Sequence, residues 1–342
     1  MTDTTQQPVA TQDFARIDEV TALRERSLVQ KILASQPFWV TIVLALICLV
    51  MNWIEPTFLT ADNLFNITRN FAFIGIMALG MTAVILTGGI DLSVGSIMGV
   101  VGVVCGLLLQ AEYHWLVAVV AGLATGVVIG AVNGALIAYL GLPPFVVTLG
   151  MLSVGRSLAV VLSENKMIYE FGPYAEQFYW IGGGAIFGIA NPVWMLIVLT
   201  VVFAIAFALS SWGRYLYAIG GNEHAARLTG VPVDRIKMQA YIVSGLTAAI
   251  SSVMIVGWQG SAINALGTGY ELRVIASTVI GGANLMGGEG GAYGAFIGAA
   301  LIEVIRNALL MAGVDSNWQG TFVGAFIVLA VLLERIRGRK SD

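Results

Sequence analysis

Two glycine-rich breaks interrupt an otherwise apolar chain, and they restrict its fold more than any other feature. The first, at 88–96, reads GGIDLSVGS, and the second, at 281–288, reads GGANLMGG. Asp91 in the first break stands where Asn284 stands in the second. In lipid, irregular backbone is tolerated only inside protein or beside a cavity. Paired interruptions in two halves of a membrane chain are typical of a transport site, although plain turns between helices have the same composition.

The composition indicates a membrane protein. Of 342 residues, 58% are hydrophobic and 11% are charged, whereas soluble domains average about 25% charged residues. A net charge of −3 gives no indication of a nucleic-acid partner. The two cysteines, Cys48 and Cys105, lie inside apolar runs. Their spacing and the two histidines predict no disulfide, metal site or cofactor.

Apolar runs long enough to cross a bilayer predict an all-α, polytopic membrane helix bundle. We place about ten transmembrane helices at 37–53, 64–86, 93–109, 115–140, 144–162, 192–209, 238–257, 272–280, 292–310 and 320–333. The eighth is too short to cross alone, so it is either a half-helix that ends at the second break or a helix that continues through it. Eight or twelve spans are open alternatives. The two breaks form an internal repeat, parallel by this count and inverted if one segment is re-entrant.

The basic residues predict that both termini are cytoplasmic. Four lie in each of three segments, the N-terminal tail 1–36, the loop 210–237 and the C-terminal tail 335–342, and so 12 of the 17 Lys and Arg residues share one side. Within the N-terminal tail, 14–33 has the spacing of an amphipathic helix. Residues 37–334 form the transmembrane domain. The aromatic and acidic loop 163–191 then lies outside, either as an interfacial segment or as a docking surface for a partner.

Polar residues within the spans are candidates for function. Asp91 either hydrogen-bonds a polar solute or caps the helix that begins near Ser93. Asn133 either lines a pathway or bonds a neighbouring helix, and Arg156 either faces a polar cavity or pairs with a carboxylate. Glycines at helical spacing in the third, fourth and ninth spans predict close packing between helices.

The loop after the sixth span contains a second informative segment, at 213–231. Asn222 has the character of an N-cap for a short helix at 223–228, and Gly230 of its terminator. A short surface helix of this kind fits a groove on a partner protein, or it is an ordinary connecting helix.

Four segments, at 86–96, 213–231, 267–272 and 279–285, resemble in the same order the membrane permeases of ribose-type sugar ABC importers. The resemblance covers nearly the whole chain after about residue 37. It implies a multi-pass protein of the bacterial inner (plasma) membrane that pairs with a second permease copy, identical or not. It also implies two cytoplasmic ATP-binding subunits and a periplasmic or lipid-anchored sugar-binding protein. The chain has no P-loop, so ATP hydrolysis is expected on a separate subunit and not on this chain.

The resemblance further implies a coupling segment that docks the ATPase. Glu223, Ala225, Ala226 and Gly230 are similar to the Glu-Ala-Ala…Gly pattern of such segments, although His224 separates the glutamate from the alanines. The expected coupling residues are Asn222, Glu223, Ala225, Ala226, Arg227 and Gly230.

These features predict a permease that moves a monosaccharide or sugar alcohol inward by ATP-driven alternating access. The residues expected along the solute pathway are Asp91, Ser93, Asn133, Phe145, Thr148, Arg156 and Asn284. An ion- or proton-coupled secondary transporter is the alternative, because Asp91, Arg156 and the broken helices fit that class as well. Such a carrier has no need of a docking helix.

Overall fold

The structure, a computed structural model, describes residues 35–315 and the single positions 33, 318, 320, 321, 324 and 325. The predicted amphipathic helix at 14–33, the tenth span at 320–333 and the basic C-terminal tail fall outside residues 35–315.

The described residues form α-helices joined by short turns, with one 3-10 turn at Gly172–Tyr174 and one small hairpin. The helices are α1 Gln36–Ile54, α2 Ala61–Leu86, α3 Val94–Gln110, α4 Trp115–Ala138, α5 Pro144–Leu162, α6 Ala175–Gly183, α7 Asn191–Leu209, α8 Ser211–Gly221, α9 Glu223–Leu228, α10 Val233–Gln259, α11 Tyr270–Ile280 and α12 Ala292–Met311. The hairpin strands are β1 Ala185–Ile186 and β2 Ile189–Ala190.

The predicted all-α membrane fold is confirmed. A helix overlaps each of the first nine predicted spans, and within the described residues seven helices are long and apolar enough to cross a membrane. The helix α3 has 17 residues and α11 has 11, so α11 extends only about 16 Å. The count of ten is therefore not confirmed. The helix α10 begins at Val233, several residues before the predicted span, because the polar stretch 234–237, which an apolar span leaves out, belongs to its first turns.

The centre of the bundle is formed by α2 and α10. Buried residues make up 89% of the apolar stretch of α2 and 78% of that of α10, against 11% for α1 and 22% for α4 and α5. The glycines of α4 explain how it lies so close to α10. A Cβ added at Gly126 would lie 2.4 Å from the carbonyl oxygen of Gly245, and one at Gly130 would lie 2.4 Å from that of Tyr241. The predicted close packing through glycine is thus confirmed.

A segment of consecutive turns, 262–267, runs along the glycine face of α3. Cβ atoms added at Gly106, Gly99 and Gly95 would lie 2.8, 2.9 and 2.5 Å from atoms of Ala262, Asn264 and Gly267. This segment carries the chain from the end of α10 into the bundle, and α11 begins beside the first turn of α3. The eighth predicted span is therefore a half-helix that ends at the second break.

The two glycine-rich breaks lie in contact, beside the end of α8. The N–H of Gly288 donates to the carbonyl oxygen of Leu86 at 3.1 Å. A Cβ added at Gly220 would lie 2.0 Å from that oxygen and 2.1 Å from the nitrogen of Gly288. We call Gly88, Gly220, Gly287 and Gly288 the glycine junction. The glycine junction lies next to α9, because Gly220 is two residues before Asn222, the N-cap of that helix. The internal repeat of the two breaks stays a prediction.

Candidate functional site

The first break is organised around the buried carboxylate of Asp91. Its Oδ1 accepts from the Ser93 N–H at 3.0 Å and from the Ser93 hydroxyl at 2.6 Å. Its Oδ2 accepts from the hydroxyl of Ser244 on α10 at 2.8 Å. Asp91, Ser93 and Ser244 are fully buried. In this conformation Asp91 closes a turn just before α3, whose N-cap position is Ser93, and ties this turn to α10, so its side-chain oxygens are engaged by the protein.

Asn133 and Thr148 join the same network from α4 and α5. The Asn133 amide donates to the Ser93 hydroxyl at 2.8 Å, whereas its Oδ1 is buried without a hydrogen-bond partner among the described residues. The Thr148 hydroxyl is 2.9 Å from the carbonyl oxygen of Pro144 and 3.3 Å from that of Ile90. Four of the predicted pathway residues, on three different segments, are therefore brought together at the first break.

Phe145 and Asn284 lie apart from this network. The Phe145 side chain is on α5 but 56% exposed. Asn284 lies in the second break, where its Oδ1 accepts from the N–H of Met286 at 2.9 Å. It lines a cavity of about 1010 Å³ between the start of α1, the end of α7 and α8, together with Arg214, Tyr217 and Glu289.

Arg156 lies beside the start of α11. Its Nη1 donates to the carbonyl oxygen of Leu266 at 2.6 Å, while its Nη2 is buried without a hydrogen-bond partner in the described chain. Glu271, within electrostatic range of Arg156, accepts from the Gly269 N–H at 3.2 Å through Oε1, and its Oε2 is likewise buried and unpaired. Arg156 thus donates its hydrogen bond to a main-chain carbonyl of the 262–267 segment, with Glu271 near enough to interact electrostatically but not hydrogen-bonded to it.

The helix α9 forms as its local sequence predicts. The Asn222 side chain accepts from the N–H of Ala225 at 2.9 Å, and the chain leaves the helix through Gly230 with φ +85°. Ala226 is buried against the bundle. The predicted helix at 223–228, with its cap and its terminator, is confirmed.

The charged residues of α9 hold it against the start of α10. Arg227 donates to both carboxylate oxygens of Asp234, at 2.7 and 3.1 Å, and this pairing raises the pKa of its guanidinium. Glu223 accepts from Lys237 and lies 3.5 Å from Arg227. The outward surface of α9 is instead formed by His224, Ala225 and Leu228, the last 76% exposed.

Sequence reasoning missed three residues that the structure places at these sites. Glu271 carries an intramembrane carboxylate, a costly feature that could have drawn attention to it. Leu228 is an apolar residue at the end of a short capped helix, a pattern compatible with partner binding. Ser244 carried no local signal, because its partner Asp91 is 153 positions away.

Comparison with known proteins places this chain in a family. Residues 63–331 match the model of the branched-chain amino acid transport system / permease component family. The ribose import permease protein RbsC of Escherichia coli K12 is 39% identical over 297 residues, which cover 86% of this chain and 92% of the relative. RbsC of Bacillus subtilis 168 is 36% identical over 300 residues, 87% of this chain and 92% of the relative.

A further relative is the L-arabinose ABC transporter permease protein AraH of Azospirillum brasilense, 34% identical over 284 residues and 82% of each chain. The family match takes in both breaks, the half-helix and the capped helix α9. This chain therefore belongs to the family of branched-chain amino acid transport system permease components, as a membrane-embedded permease subunit.

Proposed function

We propose that this permease subunit imports a monosaccharide or a sugar alcohol as part of an ATP-driven ABC importer. The observation that carries the proposal is the similarity to ribose and L-arabinose permeases, each matched over more than four fifths of both chains. A neutral solute needs hydrogen-bond donors and acceptors along its path but no buried counter-charge. Ser93, Asn133 and Thr148, and the amide of Asn284, are groups of this kind.

ATP is hydrolysed by separate cytoplasmic subunits that dock on α9. Two features of α9 support this. Its charged side chains form ion pairs with residues of α10, which fix the helix in place. Its outward surface carries Leu228 and His224. An exposed leucine on a short surface helix suits a groove on a partner. The end of the bundle with α8 and α9 then faces the cytoplasm, in keeping with the basic residues of 210–237.

The solute pathway lies between this chain and a second permease copy. Ser153, Ser157 and Thr268 are exposed on the face formed by α5 and the start of α11, and Arg156 is half-buried beside them. Polar groups on a lipid-facing surface are unfavourable, so a partner copy or water must cover this face. Alternating access then moves the solute along it, past the half-helix and toward the first break.

A solute-binding protein delivers the sugar at the opposite end of the bundle. At that end, α6 and the acidic residues Glu164, Glu170 and Glu176 are accessible to an extracytoplasmic partner.

Reconstitution tests the proposal. The chain, its ATP-binding subunits and its solute-binding protein are placed in liposomes, and uptake of labelled ribose, arabinose and inositol is measured. We expect ATP-dependent uptake of one of these solutes, lost when the ATP-binding subunits are omitted. Accumulation by the chain alone, without nucleotide, would contradict the proposal.

A further inference from the structure

The β1–β2 hairpin is an entirely apolar projection at the end of the bundle opposite α8 and α9. Ala185 pairs with Ala190 and Ile186 pairs with Ile189, and Phe187 and Gly188 form the turn. These six residues carry no polar side chain. Phe187 is 93% exposed, and Ile186 and Ile189 are exposed as well. Such a surface is not expected to face water unless something apolar covers it.

The turn holds Phe187 in a conformation that phenylalanine rarely adopts. Its φ is +54°, and that of Gly188 is +76°. Two-residue turns with both φ values positive favour Asn and Gly, because a Cβ is strained there. A Cβ added at Gly188 would meet no atom within 4 Å, so the apex stands clear of the described chain. The strain therefore presents an aromatic ring outward and is not explained by packing within the protomer.

The hairpin is fixed at the point where α7 enters the membrane. The indole N–H of Trp194, on the first turn of α7, donates to the carbonyl oxygen of Ile186 at 3.2 Å. The N–H of Asn191 donates to the carbonyl oxygen of Gly184 at 2.9 Å. Below Trp194, α7 presents an exposed apolar face that includes Val198, Val201 and Ile205. The apolar surface of the hairpin continues this lipid-facing surface, and tryptophan is enriched at the level of the lipid headgroups.

We propose that the hairpin is a membrane anchor, which inserts Phe187 and its flanking isoleucines into the headgroup–acyl boundary of the leaflet opposite α8 and α9. The depth follows from the backbone. The two strands pair their backbone N–H and C=O groups with each other, and Trp194 donates to the carbonyl oxygen of Ile186. The backbone groups on the outer edges of the strands still need water or lipid headgroups as partners. The occupant is lipid because the surface lacks the charges that the neighbouring loop carries at Glu170 and Glu176, and because it continues the lipid face of α7.

Site-directed spin labelling in lipid nanodiscs tests the anchor. Phe187→Cys is labelled in full-length protein that carries Cys48→Ala and Cys105→Ala, and its accessibility to oxygen and to a water-soluble nickel complex is measured. Glu170→Cys is the aqueous control and Val201→Cys the lipid control. Ile189→Cys, outside the strained turn, is the second labelled site in case the label at 187 disturbs the turn.

We expect the labels at 187 and 189 to be reached by oxygen and protected from nickel, at a depth between those of the two controls. Nickel access equal to that at 170 would show a water-exposed hairpin and overturn the proposal. Protection from both reagents would show a protein cover, from a second copy or another segment, and would overturn it as well. The result does not depend on which solute the permease carries.

Discussion

Asp91 in the first break accepts a hydrogen bond of 2.8 Å from the hydroxyl of Ser244, which lies on α10, 153 positions later in the chain. This single contact joins the irregular backbone between α2 and α3 to one of the two most buried helices. A carboxylate with no exposed surface is stable only when such donors surround it. Asp91 thus organises the break whether or not a solute ever reaches it.

Replacing Asp91 should therefore lower stability before it alters solute recognition. Asp91→Ala leaves the Ser93 N–H and the Ser244 hydroxyl without their acceptor, and we expect a loss on the order of 3 kcal/mol, since hydrogen bonds to charged groups contribute about 1.5–3 kcal/mol each. Asp91→Asn and Ser244→Ala should lose less. Thermal unfolding in detergent checks the order of the three variants. An Asp91→Ala protein with the same melting temperature as the wild type but a raised KM for uptake would contradict this structural role.

Two adjacent glycines provide a matched test of the glycine junction. A Cβ at Gly220 would lie 2.0 Å from the Leu86 carbonyl oxygen, whereas a Cβ at Gly221 meets nothing within 4 Å. We expect Gly220→Ala to lower the melting temperature and the yield of folded protein, because both contacts are with backbone and neither can move away cheaply. Gly221→Ala should behave as the wild type. Equal behaviour of the two variants in fluorescence-detected size-exclusion chromatography would show that the junction is not close-packed.

The outward face of α9 should govern ATPase binding. Leu228→Asp places a charge where the proposed partner groove is apolar, so we expect loss of co-purification with the ATP-binding subunits and no change in melting temperature. Tyr113→Asp, a similar change at the opposite end of the bundle, should leave co-purification intact. Asn222→Ala should weaken α9 by about 1 kcal/mol, the usual contribution of an N-cap, and reduce binding only partly. Full co-purification of Leu228→Asp would exclude this face as the docking surface.

Arg156 and Glu271 should depend on each other. Each has one buried atom without a partner, and removal of a single charge leaves the other uncompensated in a poorly solvated site. We expect Arg156→Gln and Glu271→Gln each to slow uptake by about tenfold, equivalent to about 1.4 kcal/mol. The double variant should have a higher melting temperature than Arg156→Gln alone. Additive losses in the double-mutant cycle of the wild type and these three variants would mean that the two charges act independently.

The sequence predicted those parts of the structure that depend on residues close together in the chain. The cap at Asn222, the helix at 223–228 and the exit at Gly230 all lie within nine residues, and they form as expected. The Gly-xxx-Gly spacing of α4 predicted a closely packed helix, and α10 is its partner. Length showed that 272–280 cannot cross a bilayer alone, and the structure decides between the two alternatives, because the helix ends at Ile280, just before the second break.

The remaining features depend on contacts between distant residues. The Arg156 hydrogen bond to Leu266 spans 110 positions, and no periodicity in the sequence shows that the turns of 262–267 would run along α3. The ion pairs of Arg227 with Asp234 and of Glu223 with Lys237 span only 7 and 14 positions, but they join two helices whose relative placement the sequence does not show. The roles of the predicted pathway and coupling residues stay predictions until the variants above are measured.

The glycine junction also sets a rule for building hybrid permeases. At the glycine junction, Gly220 of α8 meets the end of α2 and the second break through backbone atoms, so a loop exchanged between relatives brings a main-chain path that must fit two other segments of the recipient. Side-chain repacking cannot absorb a mismatch where no side chains are present. A hybrid intended to accept a different ATPase should therefore carry 87–93, 213–231 and 281–291 together, as one transplanted unit.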